Sequence, residues 1–152
     1  MIKKLLIIGC GLIGSSVLRT VSKNKIANKI FIYEKSKLNI SKIKKIKVKT
    51  TIVKDLKKVV PQMEMIIFCT PMSEYNKIIF KINSFINPKC ILTDVGSTKE
   101  TSMEHIRTKL KNKNSWISSH PIAGSEVSGP EHGSSKLFFG KWCILIKDKN
   151  TK

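Results

Sequence analysis

Leu5-Leu6-Ile7-Ile8-Gly9-Cys10-Gly11-Leu12-Ile13-Gly14 joins an apolar run to three glycines in the spacing Gly-x-Gly-x-x-Gly, and this junction decides the fold. Residues 2–8 are short, nearly continuously apolar and rich in isoleucine, which suits a strand buried on both faces of a parallel sheet. Helical spacing follows from about Leu12 to Lys23. A strand that passes through a glycine turn into a helix is built to hold a dinucleotide: the first glycine makes the tight turn, the second lets backbone approach a pyrophosphate, and the third lets helix and strand pack closely. Free amides and the positive end of the helix dipole then face the phosphates without help from a basic side chain. Gly9, Gly11, Leu12, Ile13 and Gly14 are therefore candidate cofactor contacts. Glu34 lies 20 residues after Gly14, at the end of the next predicted strand, where a carboxylate accepts hydrogen bonds from ribose hydroxyls. It favours NAD as the cofactor. NADP is the alternative, because Lys35 and Lys37 follow directly and offer charge to a 2′-phosphate.

Strands are expected at 29–34, 48–53, 65–69, 90–94, 116–119 and 142–146. Between them fall a lysine-rich amphipathic helix over 36–45, a short helix over 55–60 ended by Pro61, and a helix with Ser73 as N-cap that turns Ile78, Ile79, Ile82, Phe85 and Ile86 inward. Ser97-x-x-Glu100 is a capping-box pattern opening a further helix with Met103, Ile106 and Leu110 inward. Residues 124–140 form a long loop. At 152 residues, with strands and helices alternating and no repeat or linker, the chain is expected to be one dinucleotide-binding domain. The predicted fold class is α/β, a Rossmann-type doubly wound, mainly parallel sheet with helices on both faces. Ligands bind such sheets beyond the carboxyl ends of the strands. Those ends carry Gly9–Gly14, Glu34, Thr70-Pro71, Gly96-Ser97 and His120, so Thr70 and Pro71 join the cofactor candidates.

His120 is the candidate base. A free imidazole titrates near neutral pH and takes a proton in the step in which a hydride leaves. Pro121 favours an extended His120, and Gly124 permits a sharp turn after it. Ser97 reads both as an N-cap and as a hydroxyl within reach of His120 or a nicotinamide. Glu126 is either a solvated loop carboxylate or a group returned over the site by the glycine turn. His105 and His132 are read as surface and loop residues, with His132 a distant candidate for substrate contact.

Composition excludes other classes. Hydrophobic residues make up 41% and charged residues 26%, and no apolar run reaches the roughly 20 residues of a membrane span. Met1-Ile2-Lys3-Lys4 and the apolar residues before Cys10 imitate a lipoprotein signal, but the run is too short; a cytoplasmic location is the expectation. Cys10, Cys69, Cys90 and Cys143 show no C-x-x-C spacing, so neither a metal site nor a disulfide framework is expected. The net charge of +19 comes from dispersed lysines, with Arg19 and Arg107 the two arginines and no aromatic interleaving. Nucleic acid is therefore not the expected partner, although a positive field attracts anionic metabolites and cofactors.

Gly9-x-Gly11-Leu12-Ile13-Gly14-Ser15-Ser16, Asp94-Val95-Gly96-Ser97-Thr98-Lys99 and His120-Pro121-Ile122-Ala123-Gly124-Ser125-Glu126, with Gly129 and Leu137-Phe138, resemble the prephenate and arogenate dehydrogenases of tyrosine biosynthesis. The His-Pro-Ile-Ala-Gly segment is the specific part, and the resemblance covers nearly the whole chain. It implies oxidative decarboxylation of prephenate or arogenate: hydride passes from the ring carbon bearing the hydroxyl to the nicotinamide, carbon dioxide leaves, and the ring becomes aromatic. His120 would deprotonate the ring hydroxyl, Ser97 would orient His120 and touch substrate or nicotinamide, and Glu126 would belong to the polar network at the entrance. The family also carries a helical domain that makes a homodimer and supplies an arginine for a substrate carboxylate. Neither Arg19 nor Arg107 falls in a matching segment, so that role has no residue in this sequence. A truncated NAD-binding domain without turnover, or another Rossmann dehydrogenase of the β-hydroxyacid type, are the competing expectations.

Overall fold

The computed structural model describes residues 1–99, 109–110 and 116–146. Seven strands form one sheet in the order β3-β2-β1-β4-β5-β6-β7, where β1 is Ile2–Ile8, β2 Ala27–Tyr33, β3 Thr51–Val53, β4 Met65–Phe68, β5 Ile91–Asp94, β6 Trp116–Pro121 and β7 Cys143–Ile146. The first six pair in parallel and β7 runs antiparallel to β6. This is the expected doubly wound sheet, and its order reverses between β1 and β4.

The apolar run at the start of β1 explains its central place. Leu5, Leu6, Ile7 and Ile8 are each at most 1% exposed, and alternate residues feed two separate cores. Leu5 and Ile7 pack with Leu18 and Val21 of α1 (Leu12–Lys23) and with Ile43 of α2 (Lys37–Lys44). Leu6 and Ile8 join Leu56 of α3 (Leu56–Val59) and Ile78, Ile79 and Ile82 of α4 (Tyr75–Ile82). Burying side chains of this size contributes roughly 1.5–3 kcal/mol each.

Several boundaries differ from expectation for local reasons. Ser73 does not cap α4: Pro71 leads into a 3-10 turn over Met72–Glu74, and the helix begins at Tyr75. Tyr75 anchors that start, because its buried ring lies 5.5 Å from Phe68 and 6.4 Å from Trp116, centroid to centroid. Pro61 does not end the helical segment before β4, since a proline is tolerated in the first turn of the 3-10 stretch Val60–Gln62. Strand β3 is confined to three residues. The helix expected after Ser97 lies outside the described residues apart from Lys109 and Leu110, the latter buried in the α4 core.

The segment after β6 is not a free loop. Its 3-10 turn Pro130–His132 and the residues behind it form a strap along α1. Arg19 Nη1 donates to the Pro130 carbonyl at 3.1 Å, Ser16 Oγ accepts from Ser134 N at 3.0 Å, and Thr20 Oγ1 donates to the Ser135 carbonyl at 3.3 Å. A Cβ on Gly133 would collide with Ser15 Oγ. Two fully buried serines in a helix are thus explained, since Ser15 and Ser16 receive the strap.

Candidate active site

The switch point between β1 and β4 is shaped by its glycines. Gly9 has φ +85°, and a Cβ there would stand 2.6 Å from Thr70 Cγ2 and 2.8 Å from Thr70 N. A Cβ on Gly14 would run into the Gly9 carbonyl. Gly11 differs, because nothing lies within 4 Å of its would-be Cβ. As N-cap of α1 it also has no side chain to occupy the first-turn amides, which face the same open space. Thr70 Oγ1, on the opposite wall, is buried without a hydrogen-bond partner among the described residues. An open cradle at a helix N-terminus and an orphaned hydroxyl beside it fit a dinucleotide phosphate.

These features make a prediction. Gly11→Val should lower the denaturation midpoint of the chain only slightly, through loss of a favoured N-cap residue, and weaken NAD binding by about tenfold to a hundredfold, the cost of forcing apolar bulk into occupied space. Gly14→Ala should lower the midpoint more, because its methyl meets protein rather than cofactor; parallel melts and titrations of the two variants separate the effects.

One lobe of the cleft, about 430 Å³, is lined by Gly9, Cys10, Gly11, Glu34, Thr70 and Pro71 among others. Glu34 stands at the end of β2 as expected and is more firmly held than expected. Its Oε2 accepts from Cys10 N and its Oε1 from Ser36 N, each at 2.9 Å. The carboxylate therefore ties the glycine turn to the β2–α2 connection while keeping lone pairs for ribose hydroxyls. Burial and the neighbouring Glu34 push the Cys10 thiol up to about 12, so it is an inert wall residue.

The adjoining lobe, about 570 Å³, brings together Gly11, Leu12, Ile13, Thr70, Pro71, Ser97 and His120. Of the predicted cofactor residues all but Gly14, which packs against the Gly9 carbonyl, line one lobe or the other, and both predicted catalytic residues share the second. His120 is not in a loop: β6 continues through it, and antiparallel pairing with β7 sets His120 against Ile144 and Pro121 against Cys143. The candidate base is thus carried on a strand paired on both sides, with β5 and β7. Among the described residues no hydrogen bond joins Ser97 to His120. Glu126 is exposed in the segment after β6 and does not line either lobe.

A buried ion pair beneath this lobe was not anticipated. Asp94, fully buried at the end of β5, takes Lys99 Nζ on Oδ2 at 2.6 Å, and the lysine side chain is 10% exposed. Lys99 also donates to the Ser119 carbonyl at 2.6 Å. Asp94 further accepts from Gly96 N and Ser119 N, each at 3.2 Å, and from the Tyr75 hydroxyl at 3.4 Å. Burial and the Asp94 charge hold the Tyr75 phenol well above its usual range, so it remains a donor. The network clamps the residue before His120 to the turn that carries Ser97. The sequence signal was an aspartate closing an apolar strand, with a lysine five positions on.

Comparison with known proteins places this geometry. The profile described as prephenate dehydrogenase, nucleotide-binding domain, matches residues 17–152. The chain belongs to that family. It is 27% identical to a cyclohexadienyl dehydrogenase of Zymomonas mobilis over 98% of this chain and 50% of that protein, and 26% identical to a prephenate dehydrogenase of Bacillus subtilis over 97% and 40%. A crystal structure of prephenate dehydrogenase from A. aeolicus, in complex with hydroxyphenyl propionate and NAD+, superposes with a TM-score of 0.90 at 25% identity, covering 100% of this chain and 53% of that one. A Synechocystis arogenate dehydrogenase structure shares the fold at a TM-score of 0.83 and 23% identity, over 98% of this chain and 51% of that one. The chain thus spans about half the length of the relatives it matches.

Proposed function

We propose that the chain is the nucleotide-binding and catalytic-histidine half of an NAD-dependent dehydrogenase that oxidatively decarboxylates prephenate, with arogenate as the alternative substrate. The observation that carries this reading is the convergence of His120 with Gly11, Leu12, Ile13 and Thr70 on one cleft at the sheet's carboxyl edge. The nucleotide-binding family and the NAD+ complex of the A. aeolicus relative support the choice of cofactor.

Gly9, Gly11 and Gly14 make room for the pyrophosphate, the first turn of α1 donates amides to it, and Glu34 receives the adenine-side ribose. Thr70 and Pro71 form the wall between the two lobes. Bound there, a nicotinamide would supply the hydride acceptor. His120 takes the proton of the ring hydroxyl as the hydride leaves the same carbon, and Ser97 orients the imidazole or the nicotinamide amide. Loss of carbon dioxide returns its bonding electrons to the ring, which becomes aromatic, and the proton goes back to the phenolic oxygen. Because aromatisation drives the reaction, the residues need only align donor and acceptor and handle one proton.

The test is prephenate-dependent reduction of NAD+, followed by nicotinamide absorbance with the aromatic product identified by chromatography. Reduction with stoichiometric product is expected. Saturable NAD+ binding with no turnover of prephenate or arogenate would reduce the chain to a binding module.

A further inference from the structure

The wall of the adenine-side lobe carries an ion pair that neither the glycine turn nor the chemistry at His120 requires. Lys35, directly after Glu34, and Glu74, from the 3-10 turn between β4 and α4, line the same 430 Å³ lobe from opposite sides. Lys35 Nζ meets Glu74 Oε2 at 2.5 Å, and Lys77 Nζ approaches Glu74 Oε1 at 3.4 Å. The contact joins the end of β2 to the start of α4 across the mouth of the lobe.

Position gives the pair a meaning. A lysine following the acidic residue of β2 is placed to hold a 2′-phosphate on the adenine-side ribose, and alone it would make the lobe tolerant of that group. Here its charge is already met. Glu34 lines the same lobe with both oxygens on backbone amides, and Lys35, the lysine of the Lys35/Lys37 pair that lines it, is already engaged by Glu74. We infer that Glu74 is a specificity-determining residue: by engaging Lys35 it denies a 2′-phosphate its cation and biases the lobe toward the unphosphorylated dinucleotide. The inference rests on the reading of this cleft as a dinucleotide site. The hydrogen bond to Glu74 raises the Lys35 ammonium, and bonds to Lys35 and Lys77 lower the Glu74 carboxyl, so both stay charged through the neutral range.

Calorimetric titration of NAD+ and NADP+ into the chain and two variants tests it. The unaltered chain binds NAD+ more tightly than NADP+. Glu74→Gln frees Lys35 and is expected to raise NADP+ affinity relative to NAD+ by about tenfold at low ionic strength, the scale of one added charge interaction near a protein surface. The gain should shrink as salt screens it and disappear in Glu74→Gln combined with Lys35→Gln. An unchanged ratio in Glu74→Gln while NAD+ still binds overturns the inference alone, as does a gain that survives loss of Lys35. Absence of binding by either nucleotide to the unaltered chain overturns the inference together with the reading of the cleft.

Discussion

Replacing Asp94 by alanine is expected to lower the stability of the chain by about 3–5 kcal/mol, the cost of leaving a buried charge without its partner. Lys99 would keep its ammonium in a site where its side chain is 10% exposed and would lose the Asp94 carboxylate that it meets at 2.6 Å. The amides of Gly96 and Ser119 and the Tyr75 hydroxyl would also lose an acceptor. A loss of this size is a large part of the roughly 5–15 kcal/mol that holds a domain together. Urea denaturation should show a markedly lower midpoint with little change in slope. Replacing both partners with apolar residues, Asp94→Leu with Lys99→Met, should recover much of the loss, because the desolvation cost disappears along with the attraction. A cost below about 1 kcal/mol for Asp94→Ala would mean that the pair is solvated.

Turnover is the second large effect. His120→Asn keeps a polar side chain of similar reach but offers no group that takes a proton at neutral pH. The rate of prephenate oxidation should fall by about 10³-fold, within the range a positioned base contributes, while NAD+ affinity stays within about twofold. The separation is expected because His120 lies in the second lobe, on β6, and the first lobe is built from β1, β2 and the β4 end. Equal losses in turnover and NAD+ binding would make His120 a structural residue of the β6–β7 pair. A fall of less than tenfold would move the proton transfer to another group.

How much of this was legible in the sequence follows from which interactions are local. The glycine turn, the buried β1 and the alternation of strands and helices depend on neighbours in the chain, and they make the fold and the Gly9–Ile13 wall of the cleft legible. Glu34 was placed by spacing alone. What escaped depends on distant partners. The extension of β6 through His120 requires β7 to lie antiparallel beside it, and nothing within residues 116–121 announces that neighbour. The strap is set by Ser16, Arg19 and Thr20 meeting residues more than a hundred positions later. Asp94 and Lys99 are close in sequence, but only the packing of β5 and β6 removes them from water. Lys35 read as a phosphate candidate because Glu74, 39 positions away, could not be placed beside it.

At the β1–β4 switch point a dinucleotide is expected to lie against the backbone of Gly11. Titration of NAD+ into the chain and into Gly11→Val by calorimetry tests this placement most directly. Saturable binding at one site is expected in the unaltered chain, weakened by about tenfold to a hundredfold in the variant at a nearly unchanged denaturation midpoint. A flat titration of the unaltered chain, or equal affinity in both proteins, would contradict it.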